Sequence, residues 1–176
     1  MNIKRILSID ILETALRIWT AFYIFIYGIS KSTQFEGSKL VDISIRDATE
    51  FQMMWAFFGT TKEYPIIIGC IEVLGAFLLI FRKTKLLGAV LLTPILLNII
   101  MLDVFYKIHP GALRNAIIFQ SVLILIFIIQ RKQIIRIFKT MILNNNKTIS
   151  FGNSAIKFLI SVILAFLLYL TFNRFM

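Results

Sequence analysis

The sequence predicts an all-α, polytopic membrane protein: a four-helix transmembrane bundle core with a fifth transmembrane helix. Three observations carry this. Of 176 residues, 59% are hydrophobic and 16% charged, with a mean hydropathy of +0.85, which leaves too little polar side chain to cover a soluble domain. Five apolar segments of about 17–20 residues recur along the chain, the length at which a helix rising about 1.5 Å per residue crosses the hydrocarbon core. No segment alternates apolar and polar residues, so a transmembrane barrel is not expected.

The first segment is Ile11–Ile29. Lys4 and Arg5 precede it as in a signal peptide, but Asp10, Glu13 and Arg17 break the apolar run and no small-residue cleavage site follows, so the helix is expected to be retained. Asp10, Glu13, Arg17, Ala21, Ile24, Gly28 and Lys31 recur in steps of three and four, which puts them on one face. A charged stripe facing lipid is costly, so that face should turn toward other helices.

The loop 32–63 follows, the one sizeable polar stretch, with Glu36, Asp42, Asp47, Glu50 and Glu63 against three bases. Within it, Ser44–Asp47 has a capping-box-like spacing, Ile45–Phe58 is amphipathic, and Gly59 suits a helix end. Met53, Met54, Trp55, Phe57 and Phe58 cluster there. Such aromatics lie in the membrane interface or cap a bundle; a lid over a cavity is the sharper reading.

Tyr64–Phe81 is the second span, with Glu72 alone near its middle and Gly69 and Gly75 flanking it at three residues on either side. The third, Leu86–Phe105, carries Asn98 and Asp103 and leads to Tyr106 and His109. Pro110–Gly111 opens the fourth, Leu113–Ile129, which bears Arg114, Asn115 and Gln120. Arg131–Leu143 is basic and amphipathic, suited to anionic headgroups, and Asn144–Lys147 is a plain loop. The fifth span, Ala155–Phe172, has no ionisable residue after Lys157 and reads as a peripheral anchor, with Ser161 bonding to its own helix. The chain thus divides into a core over 1–130, the basic segment 131–147 and the added helix 148–176.

The net charge of +10 is a topology signal and does not point to nucleic acid. If the spans alternate sides, ten bases (Lys4, Arg5, Arg82, Lys83, Lys85, Arg131, Lys132, Arg136, Lys139, Lys147) lie on one side in short loops. Seven (Lys31, Lys39, Arg46, Lys62, Lys107, Arg114, Arg174) lie on the other. Dense Lys and Arg in short loops mark the cytoplasmic face, so the N-terminus is expected inside and the C-terminus outside. Cys70 is the sole cysteine, which excludes an internal disulfide or thiolate cluster, and it reads as a small residue packed between helices. With one histidine no metal site is expected. No phosphate loop, nucleophile elbow or dinucleotide fingerprint occurs, which argues against an enzyme with a catalytic motif of its own.

The candidate site is an intramembrane polar group formed by Arg17, Glu72, Asn98 and Gln120. A carboxylate at mid-membrane needs a companion, and counting depth from the span ends favours a contact between Arg17 and Glu72. The plainer alternative pairs Arg17 with Glu13 at i,i+4. Asn98 and Gln120 lie at depths comparable with Glu72, where they either line one polar cavity or bond neighbouring helices. Lys31, Asp103 and Arg114 form a candidate ion-pair cluster at the outer face.

Arg17…Gly28-x-x-Lys31, then Ile71-Glu-Val-Leu-Gly75-Ala-Phe-Leu-Leu79, the basic turn Arg82–Lys85 with Leu87-Gly-Ala89, and a polar third span through Asn98 and Tyr106 resemble the DoxX-like family of small membrane proteins. The likeness covers roughly Leu12 to Ile129. It implies a four-helix core, and Arg17, Lys31 and Glu72 as the positions to test first. Relatives include small subunits of quinone-linked sulfur oxidation, a maturation factor for methylamine oxidation and eukaryotic cargo or receptor-assembly proteins, so family likeness alone does not fix a function.

Three functions are carried forward. The first is an accessory or assembly subunit anchoring a membrane protein partner. The second is a quinone-binding subunit of a membrane oxidoreductase, with quinone as its cofactor. The third is a carrier of a small amphiphile. All three place the chain in a lipid bilayer with a small hydrophobic ligand or a protein as partner, and none involves nucleic acid.

Overall fold

A computed structural model of the protein describes the backbone of residues 3–38, 43–143 and 151–174, and the side chains of residues 9–38, 43–142, 156–167 and 170–171. Among the described residues there are seven helices and no strand: α1 (Ile3–Ser30), α2 (Glu50–Thr60), α3 (Glu63–Ile80), α4 (Lys85–Phe105), α5 (Pro110–Ile129), α6 (Arg131–Leu143) and α7 (Phe151–Arg174). Of the expectations above, the Asn144–Lys147 loop and the side chains of Lys4, Arg5, Lys39, Asp42, Lys147 and Arg174 lie outside what is described.

Local chemistry sets the helix ends. The helix expected from Ile45 starts instead at Glu50, because Thr49 and Gln52 make the capping box: the Gln52 amide donates to Thr49 Oγ1 at 3.3 Å and the Thr49 amide to Gln52 Oε1 at 2.9 Å. Ser44–Asp47 forms a turn, closed by the Asp47 amide on the Ser44 carbonyl at 2.9 Å. Gly59 lies in the last turn of α2 and does not follow it. At α5, His109 is the N-cap and Pro110 occupies the first turn, where its missing N–H costs nothing. Ser161 Oγ donates to the Lys157 carbonyl at 2.8 Å within α7.

The chain separates into two compact units, Met1–Arg131 and Lys132–Met176. In the first, α3 packs on both α1 and α4, α4 packs on α5, and α5 touches α1. Glycines set how closely. A Cβ on Gly28 of α1 would lie 2.8 Å from the Gly69 carbonyl oxygen and 2.8 Å from Val73 Cγ2 of α3. A Cβ on Gly88 of α4 would lie 2.7 Å from the Leu79 nitrogen. Backbones therefore touch at both crossings, as small residues permit.

Two apolar clusters result. Ala21, Ile24, Ala76, Leu79, Ala89, Leu92, Leu96, Phe119, Leu123 and Ile126 fill the space between α1, α3, α4 and α5. Phe35, Met54 and Phe58 form a second cluster with Trp55, Ile68, Leu102 and Ile108, under α2 and at the end that carries the 31–62 connection. In the second unit the described side chains of α7 are all exposed, and Lys132, Arg136 and Lys139 of α6 are exposed.

Among the described residues three helices, α3, α4 and α5, are long and apolar enough to cross a membrane. Five such spans were expected. Asp10, Glu13 and Arg17 set α1 apart, and in α7 the described apolar stretch is Ile156–Leu167. The outward faces of the first unit are apolar: Phe22, Phe25, Ile26, Ile29, Phe77, Leu97, Met101, Ile117 and Ile124 are all exposed.

Candidate functional site

Glu72 projects from the middle of α3 and is 2% exposed. Its companion is Lys31, whose Nζ lies 3.9 Å from Glu72 Oε2. The glycine contacts explain this partner. A Cβ on Gly69 would lie 2.9 Å from Lys31 Cβ, so the lysine stem runs over a position that has no side chain and reaches one turn further along α3. Lys31 Nζ also donates to Gln34 Oε1 at 3.1 Å.

The expected Arg17–Glu72 contact is not made. Eleven residues separate Gly28 from Arg17 in α1 and eleven separate Gly69 from Ile80 in α3, about 16.5 Å of helix in each case. Antiparallel packing anchored at Gly28 and Gly69 therefore brings Arg17 to the last turn of α3, about two turns from Glu72. There one Arg17 Nη donates to the Leu79 carbonyl at 2.6 Å and to that of Ile80. Arg17 Nε lies 3.3 Å from Glu13 Oε1, which also accepts from Lys85 Nζ at 3.1 Å. Thr84 Oγ1 takes the Leu78 carbonyl at 2.7 Å. Arg17 is thus a long-range cap for the carbonyls that the end of a helix leaves bare, at the pole where cations are favoured.

Between the two apolar clusters lies a cavity of about 560 Å³, within the range of small-molecule sites. Ile24, Leu96 and Phe119 of the first cluster line one side and Phe35, Met54, Trp55 and Phe58 the other. Its polar groups are Tyr27, Ser30, Lys31, Gln34, Glu72, Asn98, Asp103 and His109. The part of α4 that lines it begins at Ile95, directly after Pro94, which lacks the amide that would bond the Val90 carbonyl. Asp103 is 6% exposed, and the titratable groups whose charges act on it are His109 and Lys31. Among the described residues, Glu72 Oε2 and Asp103 Oδ2 have no hydrogen-bond partner. No group of three or more His, Cys, Asp or Glu among these residues is placed to hold a metal ion.

α2 lines one side of this cavity. Phe51, Met54, Trp55 and Phe58 all face it, and Phe35 packs against the rings of Trp55 and Phe58 at 4.8 and 5.0 Å between centroids. An ion pair ties the N-terminus of α2 to the turn after α4, with Lys107 Nζ donating to Glu50 Oε1 at 2.9 Å. That hydrogen bond holds the Glu50 carboxyl below the ordinary glutamate range.

The uncharacterized protein YwoB of Bacillus subtilis (strain 168) is 35% identical to this chain over 118 residues, 66% of this chain and 75% of YwoB. The chain belongs to the YwoB family. No family model matches it, and no solved structure matches it.

Of the residues singled out in this YwoB-family chain, Glu72, Asn98, Lys31 and Asp103 line the cavity. The groups expected at two depths, in mid-bundle and at the outer face, thus share one space. Three others do not line it. Arg17 caps α3. Gln120 is 7% exposed, and its Oε1 has no hydrogen-bond partner among the described residues. Arg114 is exposed, while its neighbour Asn115 donates to the Tyr27 hydroxyl at 3.0 Å. Cys70 faces outward instead of packing between helices, on a shallow groove with Phe25, Val73 and Phe77. Tyr27, Gln34 and His109 were not assigned to the site from sequence. His109 and Gln34 follow the ends of α4 and α1 and carried no periodic signal, whereas Tyr27 lies on the side of α1 that meets Asn115 and Phe119 of α5.

Proposed function

We propose that this chain is a DoxX-like integral membrane protein that binds a small amphiphile in the cavity at Glu72. In this reading α1, α3, α4 and α5 cross the bilayer as a four-helix bundle. The apolar outward faces support a lipid surround. The charged positions of α1 that would be costly in lipid are turned inward, Glu13 at 6% and Arg17 at 1% exposure. The basic turn Arg82–Lys85 then marks the cytoplasmic side and α2 the outer side of a bacterial cytoplasmic membrane.

The observation that carries the proposal is the cavity itself. A protein that only spans a membrane has no use for about 560 Å³ lined by aromatic rings and two carboxylates. Packed interiors lack such spaces. Ligand binding without a catalytic motif suits an accessory or partner-anchoring subunit, and a quinone or another lipid-soluble molecule with a polar head is the class of occupant. Native mass spectrometry of protein released from mild detergent tests this. The native chain should carry a small-molecule adduct that is lost in Glu72→Gln. A native chain without an adduct, or an adduct that survives Glu72→Gln unchanged, refutes the reading.

A further inference from the structure

Two buried carboxyl groups, Glu72 and Asp103, and one lysine face the cavity, so one carboxyl has no lysine of its own. Lys31 Nζ gives its hydrogen bond to Gln34 Oε1 at 3.1 Å and stands 3.9 Å from Glu72 Oε2, beyond hydrogen-bond reach. His109 Nδ1 accepts the Gly111 amide at 3.0 Å, so that nitrogen is not a donor to either carboxyl. Among the described residues, Glu72 Oε2 and Asp103 Oδ2 are therefore acceptors without donors, at 2% and 6% exposure. Buried acceptors of that kind carry a desolvation cost until a donor arrives, and more so when charged. The faces of Tyr27, Phe35, Trp55 and Phe58 nearby are attractive to cations.

We propose that the ligand is an amphiphilic amine, its protonated nitrogen donating to Glu72 and Asp103 and its apolar tail lying among the rings beneath α2. This rests on the ligand-binding reading above. Lys31 offsets one carboxylate and the ammonium group offsets the other.

The test titrates decylamine, decanol and decanoate, three probes with equal tails, into the protein in phosphatidylcholine nanodiscs. Trp55 fluorescence is the readout, in a Trp19→Phe background that leaves Trp55 as the single tryptophan. Decylamine should bind about tenfold or more tightly than either other probe, the scale of a hydrogen bond to a charged group. Asp103→Asn should bring decylamine down to the affinity of decanol, with a helical circular-dichroism spectrum and thermal midpoint matching the native chain to show that the variant is folded. Decanol or decanoate binding as tightly as decylamine overturns the cationic head but leaves the cavity reading intact. Saturable binding of none of the three overturns the cavity reading itself.

Discussion

The guanidinium of Arg17 covers carbonyls that the end of α3 would otherwise leave bare, while the carboxylate of Glu72 meets an open space. Different outcomes follow from removing each. Arg17→Gln strands Glu13 with Lys85 alone and uncovers the carbonyls of Leu79 and Ile80. Breaking a buried ion pair costs about 3–5 kcal/mol, so the thermal midpoint of the detergent-purified protein should fall by several degrees or more. Glu72→Gln keeps the shape and removes a buried charge, so its midpoint should stay close to native or rise, as is common where a strained site is relaxed. Equal destabilisation by the two substitutions would make Glu72 a structural residue.

At the same scale, the sequence marks which residues matter but not which of them meet. Glu72 stands out because one carboxylate in an apolar span demands a reason. Its partner depends on helix register, which a span-by-span count of depth does not supply. The depth count starts α1 at Ile11, whereas the helix begins at Ile3, and the register is set by Gly28 against Gly69. Had those two glycines been taken as the contact point, Lys31 would have been the partner one turn away.

Among the elements, the second, third and fourth spans were the most legible, since α3, α4 and α5 begin within three residues of the boundaries read from hydropathy and end within one. α2 was less so, because two capping signals five residues apart compete and the geometry favours Thr49–Gln52. The α1–α3 crossing leaves no room for growth. Gly28→Leu places carbon where the Gly69 carbonyl and Val73 already lie within 2.8 Å of a Cβ. Overpacking of this kind costs about 1–3 kcal/mol, to be read from thermal unfolding.

α2 should loosen in acid. The Glu50 carboxyl is held low chiefly by the Lys107 hydrogen bond. A depressed folded-state value means the contribution is complete above the ordinary glutamate range and is lost as pH falls through the lower, folded value. The protection factors of α2 amides, with the intrinsic exchange rate divided out, should therefore be flat above about pH 5 and fall below it. In Lys107→Met that acid-dependent step should disappear. A step of unchanged size in Lys107→Met would locate the titrating group elsewhere.

For the whole molecule, side-specific labelling decides the orientation. With Cys70→Ser as background, Ser44→Cys should react with an impermeant maleimide in intact cells. Lys83→Cys should react only after permeabilisation. The reverse pattern inverts the topology, and labelling of both in intact cells removes the membrane-crossing bundle altogether. In sequence the charge pattern favours this orientation, because short loops rich in Lys and Arg bear on topology. The cavity was not legible, because it arises where two apolar clusters fail to meet, and no sequence period encodes a gap.

The most direct measurement is an experimental density map of the native protein purified in mild detergent. The account predicts elongated density between Glu72, Asp103 and Trp55, with α2 closed over it. Side chains of Phe35, Met54 and Phe58 collapsed into that space, or Glu72 turned toward the acyl chains, would contradict it.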